Sequence, residues 1–211
     1  MWWGCRINQD LLKQALIIFA RNPIRGKVKT RLAATLGEDK ALSIYQSLLE
    51  HTVQITRALP CDRYVFYADG VSLNDHWSDD IYLKRNQTGE DLGARMYHAF
   101  DTLFQESYEQ VLIIGTDCFE LTADTIQKAF SALNNHQVVI GPSADGGYYL
   151  LGMRQCYSFL FEGIAWSTDS VCKTTIQQLV LHKISYHTLP ILTDIDTEDD
   201  WNQHCSKVID S

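Results

Sequence analysis

Short apolar runs alternating with segments of helical period most limit what this chain can fold into. Leu16–Ala20, Arg63–Ala68, Gln110–Gly115 and His136–Gly141 are four such runs, each ending in turn-prone residues. Runs of that length bounded by turn signals read as buried strands. Between them, apolar residues recur at helical spacing: Ala41, Tyr45, Leu48, Leu49 and Val53 within Glu38–Leu59, closed by Pro60; then Leu92, Met96, Phe100 and Leu103; then Ile126, Phe130 and Leu133, capped by Thr122. Asp80–Lys84 reads as a short additional strand. Strand–helix alternation of this kind gives an α/β fold with a largely parallel sheet. The alternation loosens after Gly141, because Tyr148–Met153 (YYLLGM) follows without room for a helix. A mixed sheet with one antiparallel strand accommodates that. Further on, Ser167 is the expected cap of a helix carrying Val171, Thr175 and Leu179. Ile184–Leu189 reads as a late strand, and Thr197 as the cap of a final helix around Trp201. The expected organisation is a lead-in over residues 1–14, containing Trp2 and Trp3, and one domain over 15–211.

The first strand runs into an unusual loop. Five of the 18 lysines and arginines fall within Arg21–Arg31, although the chain carries a net charge of −8. Pro23 and Gly26 prevent simple continuation into a helix. The basic residues therefore sit at the carboxyl end of a strand, where open α/β sheets bind ligands. A local positive site in an acidic protein suits a compact multiply charged anion such as a di- or triphosphate; a solvated basic loop is the plainer alternative.

Three groups of acids lie where such a sheet could bring them to the same edge. Asp117 follows the apolar strand Gln110–Gly115. Asp145 lies in a Gly-rich turn with Gly146 and Gly147. Asp194 and Asp196 follow the last apolar segment. Carboxylates beside a basic loop make sense around Mg²⁺ or Mn²⁺, which take carboxylate, phosphate and water oxygens. Each acid also has a simpler role as a cap or turn residue, and Asp199 and Asp200 read as solvated helix-start acids. Gly89 and Gly93, in QTGEDLGARM, could let the backbone approach a ligand closely.

The acidic balance argues against a nucleic-acid surface. No apolar run reaches the about 20 residues of a membrane span, and the N-terminus lacks a signal-peptide pattern. Six cysteines without CxxC or metal spacing are expected to be reduced, which points to the cytoplasm. Aromatic residues near the termini leave room for a homodimer surface.

Taken together, FARNPIRGKVKTRL, DLGARM, IIGTDC, PSADGGYYLLG, LFEGIAWST and DIDTEDD resemble the DUF2064 family of bacterial GT-A-fold proteins over nearly all of residues 16–201. The resemblance implies a nucleotide-diphospho-sugar transferase fold, a three-layer sandwich with about seven strands in a mixed, mainly parallel sheet. It implies an enzyme, a glycosyltransferase using a nucleotide-sugar donor and a small-molecule acceptor. The chain is also similar to guanylyltransferases with a Lys-Thr-Arg-Leu loop and an Asp-x-Asp-Thr tail. That similarity gives the alternative of nucleotidyl transfer from a nucleoside triphosphate with release of pyrophosphate; a non-catalytic nucleotide-binding protein is the third reading. By the resemblance, Lys29 contacts phosphates, while Asp117 and Asp196 bind Mg²⁺ or Mn²⁺. Ala20, Arg21, Gly26, Lys27, Lys29, Arg31 and Asp91 form the expected nucleotide- and phosphate-binding set. Asp117, Asp145 and Lys29 are the expected catalytic residues, with Gly146, Gly147 and Tyr148 against the substrate. The chain departs from the family pattern at Glu90, Phe119 and Glu198, where relatives carry Gly, Pro and Pro.

Overall fold

The computed structural model describes residues 12–72 and 75–209, with side chains as far as His204. Trp2, Trp3 and most of the lead-in lie outside the described residues. The strands are β1 (Gln14–Ala20), β2 (Asp62–Tyr67), β3 (Leu83–Asn86), β4 (Gln110–Ile114), β5 (Val138–Pro142), β6 (Tyr148–Met153) and β7 (Tyr186–Thr188). The helices are α1 (Thr30–Leu36), α2 (Glu38–Thr56), α3 (Leu92–Gln105), α4 (Ala123–Ala132), α5 (Val171–Leu181) and α6 (Glu198–Ile209). All seven strands form one sheet in the order β3-β2-β1-β4-β6-β5-β7. Only β6 runs antiparallel to its neighbours, β4 and β5. The mixed, mainly parallel sheet follows from the missing helix between β5 and β6, because a short turn can only reverse the chain.

Both sheet faces are covered, so the central strands are apolar on both sides. In β1, Leu16, Ile18 and Ala20 pack with α1, α2 and α4. Ala15 and Ile17 face the other way, among residues of α3 and α5. Successive strand side chains point to opposite faces, so the continuous run of Leu16–Ala20 fills two cores at once.

Three boundaries differ from the sequence pattern. β3 starts at Leu83, pairing with β2 from Tyr64 onward; the segment from Asp80 is a turn, closed by Ile81 N–H and Tyr82 N–H on the Ser78 carbonyl at 3.0 and 2.9 Å. The basic stretch is not loop throughout, since α1 begins at Thr30 and carries Arg31. Ser167 does not cap α5, which starts at Val171 after Ser170. Ser167 has φ 63° and lies four residues before the first residue of the helix, in the turn that leads into it. Thr122 and Thr197 do cap, and each accepts the backbone N–H three residues on, at 3.1 and 3.3 Å.

No helix among the described residues is long and apolar enough to cross a membrane.

Candidate active site at the ends of β1 and β4

The strand order reverses between β1 and β4: the chain leaves β1 for β2 on one side, and leaves β4 for β5 and β6 on the other. In open α/β sheets ligands bind at such a switch point, outside the carboxyl ends of the strands. The loop after β1 delivers Lys29 there, and the loop after β4 delivers Asp117. The tail after β7 delivers the third group. Leu192 pairs with Ser143 beside the end of β5, Ala144 N–H reaches the Leu192 carbonyl at 2.9 Å, and Ile195 N–H donates to the Asp117 carbonyl at 2.8 Å. This path places Asp194 and Asp196 against Asp117.

Lys29 is the centre of the arrangement. Its Nζ lies 2.8 Å from Asp117 Oδ1 and 2.9 Å from Asp196 Oδ1. The lysine side chain is only 5% exposed, while the two carboxylates are 44% and 40% exposed. Burial pulls the ammonium pKa down, but Asp117 and Asp196 outweigh it and hold Lys29 above the ordinary lysine range. The backbone is committed to this placement: Lys29 sits in the left-handed region, φ 47° and ψ 48°, directly before α1. A non-glycine residue there is strained and persists only when its surroundings fix it; here the buried ion pairs do so.

Asp194 lies beside this group and does not join it. Its Oδ2 accepts a 2.9 Å hydrogen bond from Ser143 Oγ. Burial, then repulsion from Asp117, pushes its carboxyl up to about 7, against the opposing Ser143 bond. The folded pKa is raised, so stability from this group is fully present below the ordinary value of 3.8 and declines as pH rises towards about 7. In chelator, the protein should therefore lose stability between pH 4 and 7 relative to Asp194→Asn. The expected loss is at most about 4 kcal/mol, at about 1.4 kcal/mol for each pH unit that separates the folded from the ordinary value. Denaturant unfolding of both proteins across that pH range checks it, and parallel curves would show that Asp194 titrates normally.

The remaining basic residues divide into two kinds. Arg21, Lys27 and Arg31 are exposed and form no ion pair among the described residues. Arg25 is occupied by Glu38 at 2.5 Å and Asp39 at 2.6 Å. Gly26, with φ +75°, closes the turn in which Lys27 N–H reaches the Ile24 carbonyl. Ala20 accepts Ala68 N–H at 3.0 Å through its carbonyl, which ties the start of the loop to the end of β2.

Other expected residues are engaged by the protein itself. Asp91 caps α3, accepting Ala94 N–H at 2.8 Å. Asp145 is exposed, and its Oδ1 accepts Gly147 N–H at 2.9 Å; it also contributes to the field that raises Asp194, so it belongs to the same edge. Gly146, with φ +90°, makes room for protein: a Cβ there would lie 2.1 Å from the Asp169 carbonyl oxygen. At Gly93 the close neighbour is the Trp166 indole, 2.3 Å from where a Cβ would stand. Tyr148 is half-buried and directs its hydroxyl to Met96 Sδ at 3.9 Å, so its ring packs towards α3.

Four supporting residues were not visible in the sequence pattern as site residues. Tyr45 of α2 holds the basic loop at its root, its hydroxyl 3.0 Å from both Arg21 N and Arg21 O. Ser143 fixes Asp194. Glu120 accepts Thr193 N–H at 2.7 Å. Asp200 is a working acceptor as well as a helix-start acid: its Oδ2 takes hydrogen bonds from Asp196 N–H at 3.2 Å, Thr197 N–H at 2.8 Å and Thr197 Oγ1 at 2.7 Å. The Thr-x-x-Asp spacing, a variant of the capping box, was the available signal. Glu198 and Asp199 join Asp200 in the first turn of α6, where acids suit the helix dipole. Phe119 stacks on His204 at 4.3 Å between ring centroids and so anchors the Asp117 loop to α6.

The profile described as an uncharacterised protein conserved in bacteria, DUF2064, matches residues 51–168, more than half of the sequence. The chain belongs to the DUF2064 family. It is similar to a solved Desulfovibrio desulfuricans G20 protein known as a putative nucleotide-diphospho-sugar transferase, with 31% identity, a TM-score of 0.84, and coverage of 91% of this chain and 86% of that one. The DUF2064 chain also shares its fold with a Leptospira borgpetersenii cytidylyltransferase, at 13% identity and a TM-score of 0.58 over 95% of this chain and 88% of that one. A third fold relative is Rv0371c of Mycobacterium tuberculosis in complex with manganese, at 12% identity and a TM-score of 0.50 over 92% and 97% of the two chains. No curated protein matches the sequence.

The residues at the crevice fit a divalent cation. Two carboxylates already face one cationic atom at hydrogen-bond distance, and their partial exposure leaves room for water or phosphate oxygens. Mg²⁺ and Mn²⁺ are usually held by one or two carboxylates in that way. Among the described residues there is no group of three or more His, Cys, Asp and Glu that could hold a metal ion by itself.

Proposed function

We propose that this protein is a metal-dependent transferase that uses a nucleotide-diphospho-sugar donor and a small-molecule acceptor. The observation that carries the reading is Lys29 held between Asp117 and Asp196, with Arg21, Lys27 and Arg31 exposed on the same loop and α1. A diphosphate needs cations on several sides, and these exposed basic groups on the loop that carries Lys29 would supply them. The similarity to the D. desulfuricans protein supports the choice of donor.

Asp117 and Asp196 would hold Mg²⁺ or Mn²⁺, which supplies charge neutralisation for the diphosphate when bound. Lys29 and the free arginines would hold the remaining phosphate oxygens. Asp145, exposed at the β5–β6 turn, would receive the proton of the acceptor hydroxyl as its oxygen attacks the anomeric carbon. The bond from that carbon to the phosphate oxygen breaks, and the nucleoside diphosphate leaves with the electron pair. A second reading is nucleotidyl transfer from a nucleoside triphosphate. It is favoured by the dense basic loop after β1, which would suit a pyrophosphate leaving group.

Calorimetric titration with UDP-, GDP- and ADP-sugars, and with GTP, CTP, UTP and ATP, separates the two. Each titration is run with Mn²⁺ and with chelator. The expected result is metal-dependent binding of one sugar nucleotide, followed by release of the nucleoside diphosphate. Preference for one triphosphate and release of pyrophosphate would move the assignment to nucleotidyl transfer. Absence of metal-dependent binding across the panel would refute both readings.

A further inference from the structure

We infer that Lys29 is an intramolecular cation for the Asp117–Asp196 pair, so that a divalent ion binds well only when phosphate draws the ammonium away. The inference rests on the metal reading above and adds an order of events to it. Three observations carry it. The ammonium is within 3 Å of an oxygen from each carboxylate, and these are the same two acids that a metal would use. It is nearly sealed from water at 5% exposure, so the pair's charge is offset by the lysine before any ion arrives. The carboxylates themselves stay about 40% exposed, so an ion can approach them.

A divalent ion at these acids meets an ammonium a few ångströms away. Whether it displaces Lys29 or settles on the outer oxygens, the like charges oppose each other, and the ammonium is largely shielded from water. A phosphate chain changes the balance. Its oxygens give Lys29 a new partner, and the freed carboxylate oxygens can then close on the ion. Metal and diphosphate would load together, and the bare protein would hold metal weakly. By linkage, each would raise the affinity of the other by the same factor.

The test uses Mn²⁺ alone, with free ion counted by electron paramagnetic resonance in solutions of the protein. Lys29→Met removes the charge and keeps most of the length. It should bind Mn²⁺ at least about tenfold more tightly than the unaltered protein. Lys29→Arg keeps the charge and should stay within about threefold of it. Adding Asp117→Asn to Lys29→Met should abolish the gain, which places the ion on the pair. Should Lys29→Met fail to fold by circular dichroism, Lys29→Gln gives the same comparison. Equal or weaker Mn²⁺ binding by the uncharged variants would overturn the inference, as would a gain that survives Asp117→Asn. These arms contain no nucleotide. Failure of the sugar-nucleotide panel with a gain in Lys29→Met would therefore count against the proposed donor and not against the role of Lys29.

Discussion

Asparagine at Asp117 should lower turnover about a hundredfold, equivalent to about 2.7 kcal/mol of transition-state stabilisation. The variant keeps the shape and one oxygen acceptor but loses the charge. Two interactions go with it: a donor for the divalent ion, and one of the two carboxylates that hold Lys29, at 2.8 Å. Lys29→Ala should cost at least about tenfold, because it removes a phosphate contact and leaves Asp117 and Asp196 facing each other. The informative variant is the double one. Residues that act as a unit are not additive, so Lys29→Ala with Asp117→Asn should be little worse than Asp117→Asn alone. Steady-state kinetics with the donor identified by titration, at several metal concentrations, measures all three. Raised metal should restore part of the activity of Asp117→Asn and none of that of Lys29→Ala. If both single variants kept full turnover, the crevice between β1 and β4 would not be where the reaction occurs.

The sheet was legible because its strands carry the signal twice. Gln110–Ile114 is buried along its whole length, and only a strand covered on both faces reads as an unbroken apolar run. The antiparallel β6 was legible from chain length alone, since too few residues separate it from β5 for a crossover. Of the short edge strands, β7 lies within the expected Ile184–Leu189, whereas β3 overlaps the expected Asp80–Lys84 only at Leu83 and Lys84. β3 has the pattern Leu83-Lys84-Arg85-Asn86, partly or fully exposed at every position, so burial leaves no trace in its composition. Of the candidate site, Lys29, Asp117 and Asp196 were marked by the family resemblance of their motifs, and the structure brings these three side chains together. What holds them was not legible: Tyr45 looks like one more apolar position of α2, and its 3.0 Å bonds to the Arg21 backbone depend on how α2 crosses the loop. The glycines are ambiguous for a related reason. A glycine reports that something comes close, and at Gly93 and Gly146 that something is Trp166 and the Asp169 backbone.

Gly152 is where the same reasoning predicts the largest effect on stability. It lies in β6, opposite Leu112 of β4 and Val139 of β5 in the register of the two antiparallel pairs. A Cβ on it would lie 2.1 Å from Leu112 Cδ2 and 2.7 Å from Val139 Cγ1. Neither neighbour can yield towards solvent, since both are wholly buried. Its own strand is flanked on both sides, so the backbone cannot shift without breaking one of two ladders. Valine, otherwise a favourable strand residue, should therefore destabilise the fold by about 3 kcal/mol through overpacking. For a chain of this size that corresponds to a drop of about 6–12 °C in Tm. Gly115 provides the contrast, because it follows β4 with nothing within 4 Å of a Cβ, and Gly115→Ala should change Tm by no more than about 2 °C. Thermal unfolding of the two variants decides between close packing and simple strand propensity. Propensity alone would make Gly152→Val stabilising, whereas the contact with Leu112 and Val139 makes it the most damaging of these substitutions, and the glycine in YYLLGM is then there to let three strands pack side by side.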